Sequence, residues 1–88
     1  MEAVEEIKKL VKDKRLVLGA ARTLRNLQTG RCAKVWFSSN VGDDAKQDVL
    51  RYAKLNGVPV EQLPIPNDEL GLLCKKQFAV SLLSLAKD

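Results

Sequence analysis

Residues 16–27 read LVLGAARTLRNL, and the pattern of this segment changes from that of a strand to that of a helix at Gly19. The first three residues form a short apolar run, which is typical of a strand buried on both faces of a sheet. After the glycine, leucines recur three residues apart and predict a helix over about residues 21–29, which ends at Gly30. A buried strand that leads directly into a helix indicates an α/β protein.

The rest of the chain repeats this alternation. Predicted helices cover residues 2–13, 21–29, 43–56 and 67–74, and predicted strands cover residues 16–18, 33–38, 58–63 and 78–85. Asp43 begins the third helix, Gly57 stops it, and Asn67 is predicted to cap the fourth. The order αβαβαβαβ predicts the α/β class, as a three-layer α/β/α sandwich on a four-stranded, mixed but mostly parallel sheet. Residues 1–88 are predicted to form one domain.

The composition argues against an enzyme. The 88 residues are 45% hydrophobic and 30% charged, with a formal net charge of +4 and no histidine. Folding a chain of this length buries about 60–65% of its surface, which leaves no second lobe to enclose a substrate. Without histidine the chain also lacks the usual general base near neutral pH and the commonest metal ligand. We therefore predict no catalysis, no metal and no cofactor.

The cysteines and the apolar runs indicate the cellular compartment in which the protein is expected. Cys32 and Cys74 match no zinc-ligand spacing, so we interpret them as buried apolar side chains, and the sequence leaves open whether they approach each other. The longest apolar run, residues 78–86, is far shorter than the ~20 residues that cross a bilayer, and the N-terminus is acidic where a signal peptide is basic. We expect a cytoplasmic protein without a membrane partner.

The charges are segregated along the chain. Residues 14–42 contain six Lys and Arg side chains and no acid, whereas residues 43–69 are net acidic. This segregation predicts one electropositive face that would attract a polyphosphate backbone. A solvated basic surface without a partner remains an open alternative.

Three loops are expected to share one edge of the predicted sheet. In open α/β sheets ligands bind beyond the carboxyl ends of the strands, and here those ends lead into residues 19–22, 39–41 and 63–67. The first of these loops offers no Ser, Thr, Asp or Asn side chain to cap the helix that follows it. A helix start that lacks a cap and has Arg22 and Arg25 nearby is a candidate anion site, although water alone could satisfy its N–H groups.

Several short motifs, in order, resemble a known family. They are VLG at 17–19, RTLR at 22–25, SN at 39–40, YAKL at 52–55, VPV at 58–60 and ELG at 69–71, followed by Phe78 and Val80. Their order and spacing over about 70 residues resemble the kink-turn RNA-binding ribosomal proteins, and most closely their large-subunit L-thirty-e branch. A kink-turn is a sharply bent RNA internal loop with sheared purine pairs and one extruded nucleotide.

The resemblance implies roles for individual residues, each of which is an RNA contact. The segment from Gly19 to Arg25 is expected in the bent groove, where the helix start supplies backbone N–H groups and basic side chains. Asn40 is expected to hydrogen-bond a base edge, and the loop before the last strand is expected to pack against the extruded nucleotide. The implied RNA-binding residues are Gly19, Ala20, Ala21, Arg22, Arg25, Asn40, Lys75, Lys76, Gln77, Phe78 and Val80.

This chain departs from the family pattern at two of those places. Ala21 and Arg22 stand where the guide-RNA branch has an Asn-Glu pair, which favours the L-thirty-e branch. That branch often has a basic or polar residue at the position of Ala21 and a glycine at that of Lys75. A lysine in place of that glycine would either add a phosphate contact or block a close approach.

The residues themselves leave some of these roles open. Phe78 either stacks on a base or is the first core residue of the last strand. Asn40 either reads a base or is simply a turn residue. Arg22 and Arg25 either contact phosphates or are solvated neighbours on a helix.

The resemblance implies a large-subunit ribosomal RNA-binding protein that recognises and stabilises a kink-turn. Its expected partner is RNA, with ribosomal proteins as further neighbours, and it is expected to be a monomer when free. Two alternatives stay open: a kink-turn module of a guide-RNA modification particle, and a protein-interaction scaffold of the same fold that does not bind RNA.

Overall fold

In the part of the chain that the structure describes, four helices alternate with four strands, in the predicted order. The computed structural model describes residues 2–87, with side chains from residue 4 onward. The elements are α1 (Glu2–Leu10), β1 (Leu16–Leu18), α2 (Ala20–Gln28), β2 (Cys32–Phe37), α3 (Asp43–Leu55), β3 (Val60–Gln62), α4 (Asn67–Leu73) and β4 (Leu82–Ala86). Within the described residues, no helix has the length and apolar character needed to cross a membrane.

The four strands form one mixed sheet in the order β1-β4-β2-β3. The prediction of a mixed sheet is confirmed, but the expectation that it is mostly parallel is wrong. Of the strand pairs among residues 2–87, only β2 and β3 are parallel, whereas β4 lies between β1 and β2 and runs antiparallel to both.

The direction of β4 follows from the path of the chain after α4. Lys75 adopts a left-handed conformation with φ 60°, which turns the chain back. The backbone N–H of Val80 then donates to the carbonyl oxygen of Asn67 at 3.0 Å, so the chain has returned to the beginning of α4. As a result, β4 starts at the sheet edge where β1 and β2 end and must run in the opposite direction.

The strands send alternate side chains into two separate hydrophobic clusters. Trp36 and Leu83 are neighbours across β2 and β4 and pack in one cluster with side chains of α1 and α4. Phe37 and Leu82, the next pair in register, pack in the other cluster with side chains of α2 and α3. Each cluster therefore contains side chains of two helices as well as of the sheet.

The two cysteines are buried, as predicted, and lie in different clusters. Cys32 packs with the α2 and α3 side chains and Cys74 with those of α1 and α4, so both thiols are free. Burial raises the pKa of both thiols above its ordinary value. Both side chains are accordingly protonated and unreactive at neutral pH.

Several elements begin or end at other residues than predicted. The first helix ends at Leu10, and Asp13 instead holds the turn before β1 by accepting hydrogen bonds from the side chain and backbone of Arg15. These bonds lower the pKa of the Asp13 carboxyl to about 2. At α4 the N-cap residue is Pro66, and Asn67 is the first helical residue rather than a cap.

The six basic side chains of residues 14–42 do not form the single face that was expected. Lys14, Arg15 and Arg31 lie where β1 and β2 begin, which is the sheet edge opposite the loops predicted to bind a ligand. Lys34 forms ion pairs with Glu6 at 3.5 Å and Glu61 at 3.4 Å. The expectation failed because β1 and β2 run the same way, which separates the residues before each strand from those after it.

Candidate nucleic-acid interface

The candidate interface lies at the sheet edge where β1 and β2 end and β4 begins. The backbone N–H of Gly19 donates to Leu82 O at 3.0 Å, and that of Ser38 donates to Ser81 O at 2.8 Å. The backbone N–H of Ser39 donates to Ile65 O at 2.8 Å. The three predicted loops are thus brought together, and residues 79–82 lie among them.

A concave surface of about 690 Å³, which we call the main hollow, opens at this edge. Six of the predicted site residues line it: Gly19, Ala20, Arg22, Lys76, Phe78 and Val80. Gln77 lines a smaller adjoining concavity of about 240 Å³, the side hollow, which shares Lys76, Phe78 and Ala79 with the main hollow. Ala21, Arg25, Asn40 and Lys75 line neither concavity.

The start of α2 presents backbone donors beside the main hollow. Gly19 precedes the helix with φ 98°, a conformation that a residue with a Cβ rarely adopts, and no side chain described by the structure caps the helix. The first helical bond runs from Thr23 N–H to Gly19 O, so the N–H groups of residues 20–22 have no partner among the described residues. These three donors and the helix dipole place partial positive charge where an anion would sit.

A buried hydroxyl pair anchors this helix to the sheet. Thr23 Oγ1 and Ser84 Oγ are 2.9 Å apart, and both residues are fully buried. One hydroxyl donates to the other in a region that water does not reach, so separating them would break a buried hydrogen bond. The pair holds the first turn of α2 over β4, next to the main hollow.

The loop after α4 adopts a conformation that favours glycine, the residue that the family resemblance implies at position 75. Lys75 has φ 60°, in the left-handed region, and its N–H donates to Leu72 O at 3.0 Å. The N–H of Lys76 donates to Gly71 O at 2.9 Å, which completes the hydrogen-bonded end of the helix. Lys75 therefore stands at a C-terminal position that favours glycine, and it lines neither hollow.

Replacing Lys75 by glycine is expected to stabilise the protein by about 0.5–1 kcal/mol. A left-handed conformation costs an L-residue about 1–2 kcal/mol, of which the greater chain entropy of unfolded glycine takes back a part. Urea unfolding of Lys75→Gly and of Lys75→Ala would measure the difference. Equal midpoints for the two variants would contradict the argument, since only glycine relieves the conformation.

Phe78 and Val80 have opposite environments. Phe78 lies outside β4 and is 61% exposed, so the interpretation of Phe78 as the first core residue of the last strand is wrong. Val80 is only 3% exposed and packs in the cluster of α1 and α4, so it contributes only to the wall of the main hollow. Phe78 is thus the large apolar side chain of this loop that a ligand can cover.

Asn40 is exposed, yet its side chain is largely occupied within the protein. Its Oδ1 accepts hydrogen bonds from Ser38 Oγ at 3.1 Å and from the backbone N–H of Asn67 at 2.8 Å. Its Nδ2 donates to Asn67 Oδ1 at 3.2 Å, and Asn67 Nδ2 in turn donates to Ser81 Oγ at 3.4 Å. Asn40 therefore joins the end of β2 to the start of α4 and, through Asn67, to the lining of the main hollow.

Sequence reasoning missed two contacts that shape this edge. Asn67 was expected in the loop of residues 63–67 and as a helix cap, whereas its side chain also links Asn40 to the chain before β4. Gly71 lies against the backbone of Phe78 and Ala79 so closely that a Cβ would overlap the Phe78 carbonyl oxygen. A glycine in the middle of a short helix was the available signal, because it lowers helix propensity without marking a helix end.

Solved structures share the fold. A protein of unknown function from Bacillus halodurans matches with a TM-score of 0.84 at 20% identity, covering 97% of this chain and 83% of that chain. A Giardia lamblia 15.5 kD RNA-binding protein matches with a TM-score of 0.78 at 21% identity, covering 99% and 72%. At this level of identity the comparison establishes the fold alone.

Sequence relatives and a family model show which protein family this chain is related to. The large ribosomal subunit protein eL30 of Sulfurisphaera tokodaii is 35% identical over 80 residues, which is 91% of this chain and 76% of that protein. The eL30 of Methanocaldococcus jannaschii is 35% identical over 83 residues, which is 94% and 76%. These relatives confirm the resemblance seen in the motifs. The model of the Ribosomal protein L7Ae/L30e/S12e/Gadd45 family matches residues 1–88, and the chain therefore belongs to this family.

Proposed function

We propose that this chain is a large-subunit ribosomal protein that binds ribosomal RNA by recognising and stabilising a kink-turn. Its eL30 relatives, which are named as large-subunit proteins, support the ribosomal assignment. In this role it is a cytoplasmic RNA-binding protein, monomeric when free, with RNA and ribosomal neighbours as partners and without catalysis. In this proposal, the residues that contact the RNA are the RNA-binding residues that the family resemblance implies.

The observation that carries the proposal is the combination of groups around the main hollow. Unpaired N–H groups at the start of α2, the cations Arg22 and Lys76 and the exposed ring of Phe78 border one concave surface. The N–H donors and the cations can bind RNA phosphates, whereas the aromatic ring can stack on an unpaired base. A sharply bent RNA loop offers both within a short distance, and sequence-specific RNA recognition targets such splayed bases.

The direct test compares a kink-turn RNA with a straight duplex of equal length by calorimetric titration at one salt concentration. The proposal requires markedly tighter binding of the kink-turn, because the duplex offers phosphates but no splayed base. Equal affinities would refute kink-turn recognition and leave only general attraction to RNA.

Arg22→Ala is expected to weaken kink-turn binding and to reduce the salt dependence of the affinity. Each phosphate contact contributes roughly 0.7–0.9 to the slope of log K against log salt concentration, and Arg22 lines the main hollow. Titrations at salt concentrations from about 50 to 300 mM would give the slope of log K against log salt concentration for each variant. Arg51→Ala is the matched control, since Arg51 is an exposed arginine of α3 that lines neither hollow. A slope that changes equally in both variants would remove Arg22 from the contact surface.

A further inference from the structure

The inward face of α2 carries one polar side chain among apolar ones. Ala20, Leu24 and Leu27 pack in the cluster shared by α2 and α3. Thr23 lies on the same stripe of the helix and is fully buried. Its hydroxyl meets that of Ser84, which is also fully buried, at 2.9 Å. Two facing core positions therefore carry hydroxyl groups, although valine and alanine have similar shapes and no polar atom.

Stability alone does not account for this pair of hydroxyls. A buried hydrogen bond contributes little net stability, because folding exchanges bonds to water for bonds within the protein. Replacing both partners by apolar groups of the same shape is nearly neutral, whereas removing one partner leaves the other unpaired. What the hydrogen bond adds to an apolar contact is a defined distance and direction between two atoms.

Ser84 provides a fixed point in the sheet for this bond. Its strand β4 has a neighbour on each side, and Ser84 itself is paired with Val17 of β1 and with Val35 of β2. A helix that is hydrogen-bonded to Ser84 is therefore attached to a strand that cannot shift without disturbing two others.

Both ends of the first turn of α2 are attached to β4. Just before the helix, the backbone N–H of Gly19 donates to Leu82 O at 3.0 Å. Four residues later, Thr23 makes its side-chain bond to Ser84. The N–H groups of residues 20–22, which have no partner among the described residues, lie between these two attachments.

We infer that Thr23 and Ser84 are positioning residues for the RNA contact, and that their hydrogen bond fixes the direction in which the free N–H groups of α2 point. Hydrogen bonds weaken steeply when donor and acceptor are misaligned, so a tilt of this turn would weaken every contact that these groups make. Both hydroxyls are buried and neither residue lines the main hollow, so the pair acts through the helix. The inference rests on the proposed function and assigns part of its affinity to residues outside the contact surface.

The main test replaces both hydroxyls at once, as Thr23→Val together with Ser84→Ala. No unpaired polar group remains in this double variant, so its melting temperature is expected within about 4 °C of wild type. Its affinity for a kink-turn RNA, titrated well below both melting temperatures, is expected to fall about tenfold. Unchanged affinity would overturn the inference, because the pair would then be only a part of the core.

Thr23→Ser is the matched control for the double variant. It keeps the hydroxyl and removes one buried methyl group, so we expect the melting temperature to fall by about 4–8 °C. Since the bond to Ser84 remains, the affinity is expected to stay within about twofold of wild type. Stability and affinity thus change in opposite variants. An affinity that follows the melting temperature through both variants would overturn the inference.

A second test uses the free protein. The backbone N–H of Thr23 donates to Gly19 O at 3.3 Å in the first turn of α2, and that of Thr29 donates to Arg25 O at 3.1 Å at the other end. In the double variant, NMR-detected protection against hydrogen exchange is expected to fall about fivefold at position 23 and to stay unchanged at position 29. Unchanged protection at position 23 would overturn the inference.

The two tests separate this inference from the proposed function. If kink-turn and duplex RNA bind equally, the proposed function fails, yet the exchange measurement still shows whether the hydroxyl pair holds the first turn of α2. If the kink-turn is preferred and the double variant binds it as wild type does, the proposed function stands and the inference fails.

Discussion

Replacing Gly71 by alanine is expected to destabilise the protein by about 1–3 kcal/mol, the usual cost of forcing extra atoms into a packed site. A Cβ at this position would overlap the carbonyl oxygen of Phe78 and would lie 3.1 Å from the Phe78 carbonyl carbon and 3.3 Å from Ala79 Cα. All three atoms belong to the backbone, so no flexible side chain can move aside. Either α4 or residues 78–79 must shift.

The sign of this prediction is opposite to that of helix propensity. Gly71 lies inside α4, where alanine would by itself be favoured by about 1 kcal/mol. A gain in stability would therefore show that the close approach to Phe78 does not exist. Each kcal/mol corresponds to roughly 4–8 °C in melting temperature for a domain of this size, so thermal unfolding distinguishes the two outcomes clearly.

Gly42→Ala is the matched control for Gly71→Ala. Gly42 has φ −64° and no atom within 4 Å of the place where a Cβ would stand, so alanine fits without strain. The entropy gained by restricting the unfolded chain is offset by the weaker N-cap preference of alanine before α3, so a change within about 0.5 kcal/mol is expected. Comparable destabilisation in both variants would point to a general intolerance of glycine replacement.

The loss at Gly71 should extend to RNA binding. The displaced backbone is that of Phe78 and Ala79, both of which line the main hollow. A kink-turn titration performed well below the melting temperature of the variant would therefore show weakened affinity in a protein that is still folded. Unchanged affinity would mean that the position of this loop does not matter for the RNA.

The strand–turn–helix of residues 16–28 could be predicted from the sequence because its determinants are local. An apolar run gives β1, and Gly19 supplies the positive φ at the turn into α2. The missing cap was equally visible, since it is a property of adjacent residues. In contrast, the direction of β4 depends on the turn at Lys75, a residue type that gives no signal for a left-handed conformation.

The site was predicted more completely in its position than in its details. The convergence of residues 19–22, 39–41 and 63–67 at one edge is a consequence of topology and could be predicted from the strand order. Phe78 reaches the same edge because β4 is antiparallel to its neighbours, and before the structure only the family resemblance implied this. The hydrogen-bond partners of the Asn40 side chain could not be predicted from the sequence, because its main partner, Asn67, is 27 residues away in the chain. The prediction of a single basic face failed for a related reason. The clustering of basic residues along the sequence does not determine which edge of the sheet each of them reaches.

Phe78→Ala is expected to weaken kink-turn binding by about 1–3 kcal/mol, or roughly 5- to 150-fold, and to leave the stability of the protein nearly unchanged. The side chain is 61% exposed and lies outside β4, so its removal opens no cavity in either hydrophobic cluster. A ring that does not stabilise the folded chain but borders both hollows is available to stack on an unpaired base.

Leu55→Ala provides the comparison for Phe78→Ala. Leu55 is 74% exposed at the end of α3 and lines neither hollow, so its loss removes a similar apolar surface without an expected RNA effect. Phe78→Leu separates stacking from simple burial, because leucine keeps the apolar contact but has no π-face to place against a base. If the leucine variant binds as tightly as wild type, the ring contributes only apolar area. If it falls to the level of the alanine variant, the contact is stacking, and the base that Phe78 meets must be turned out of its helix.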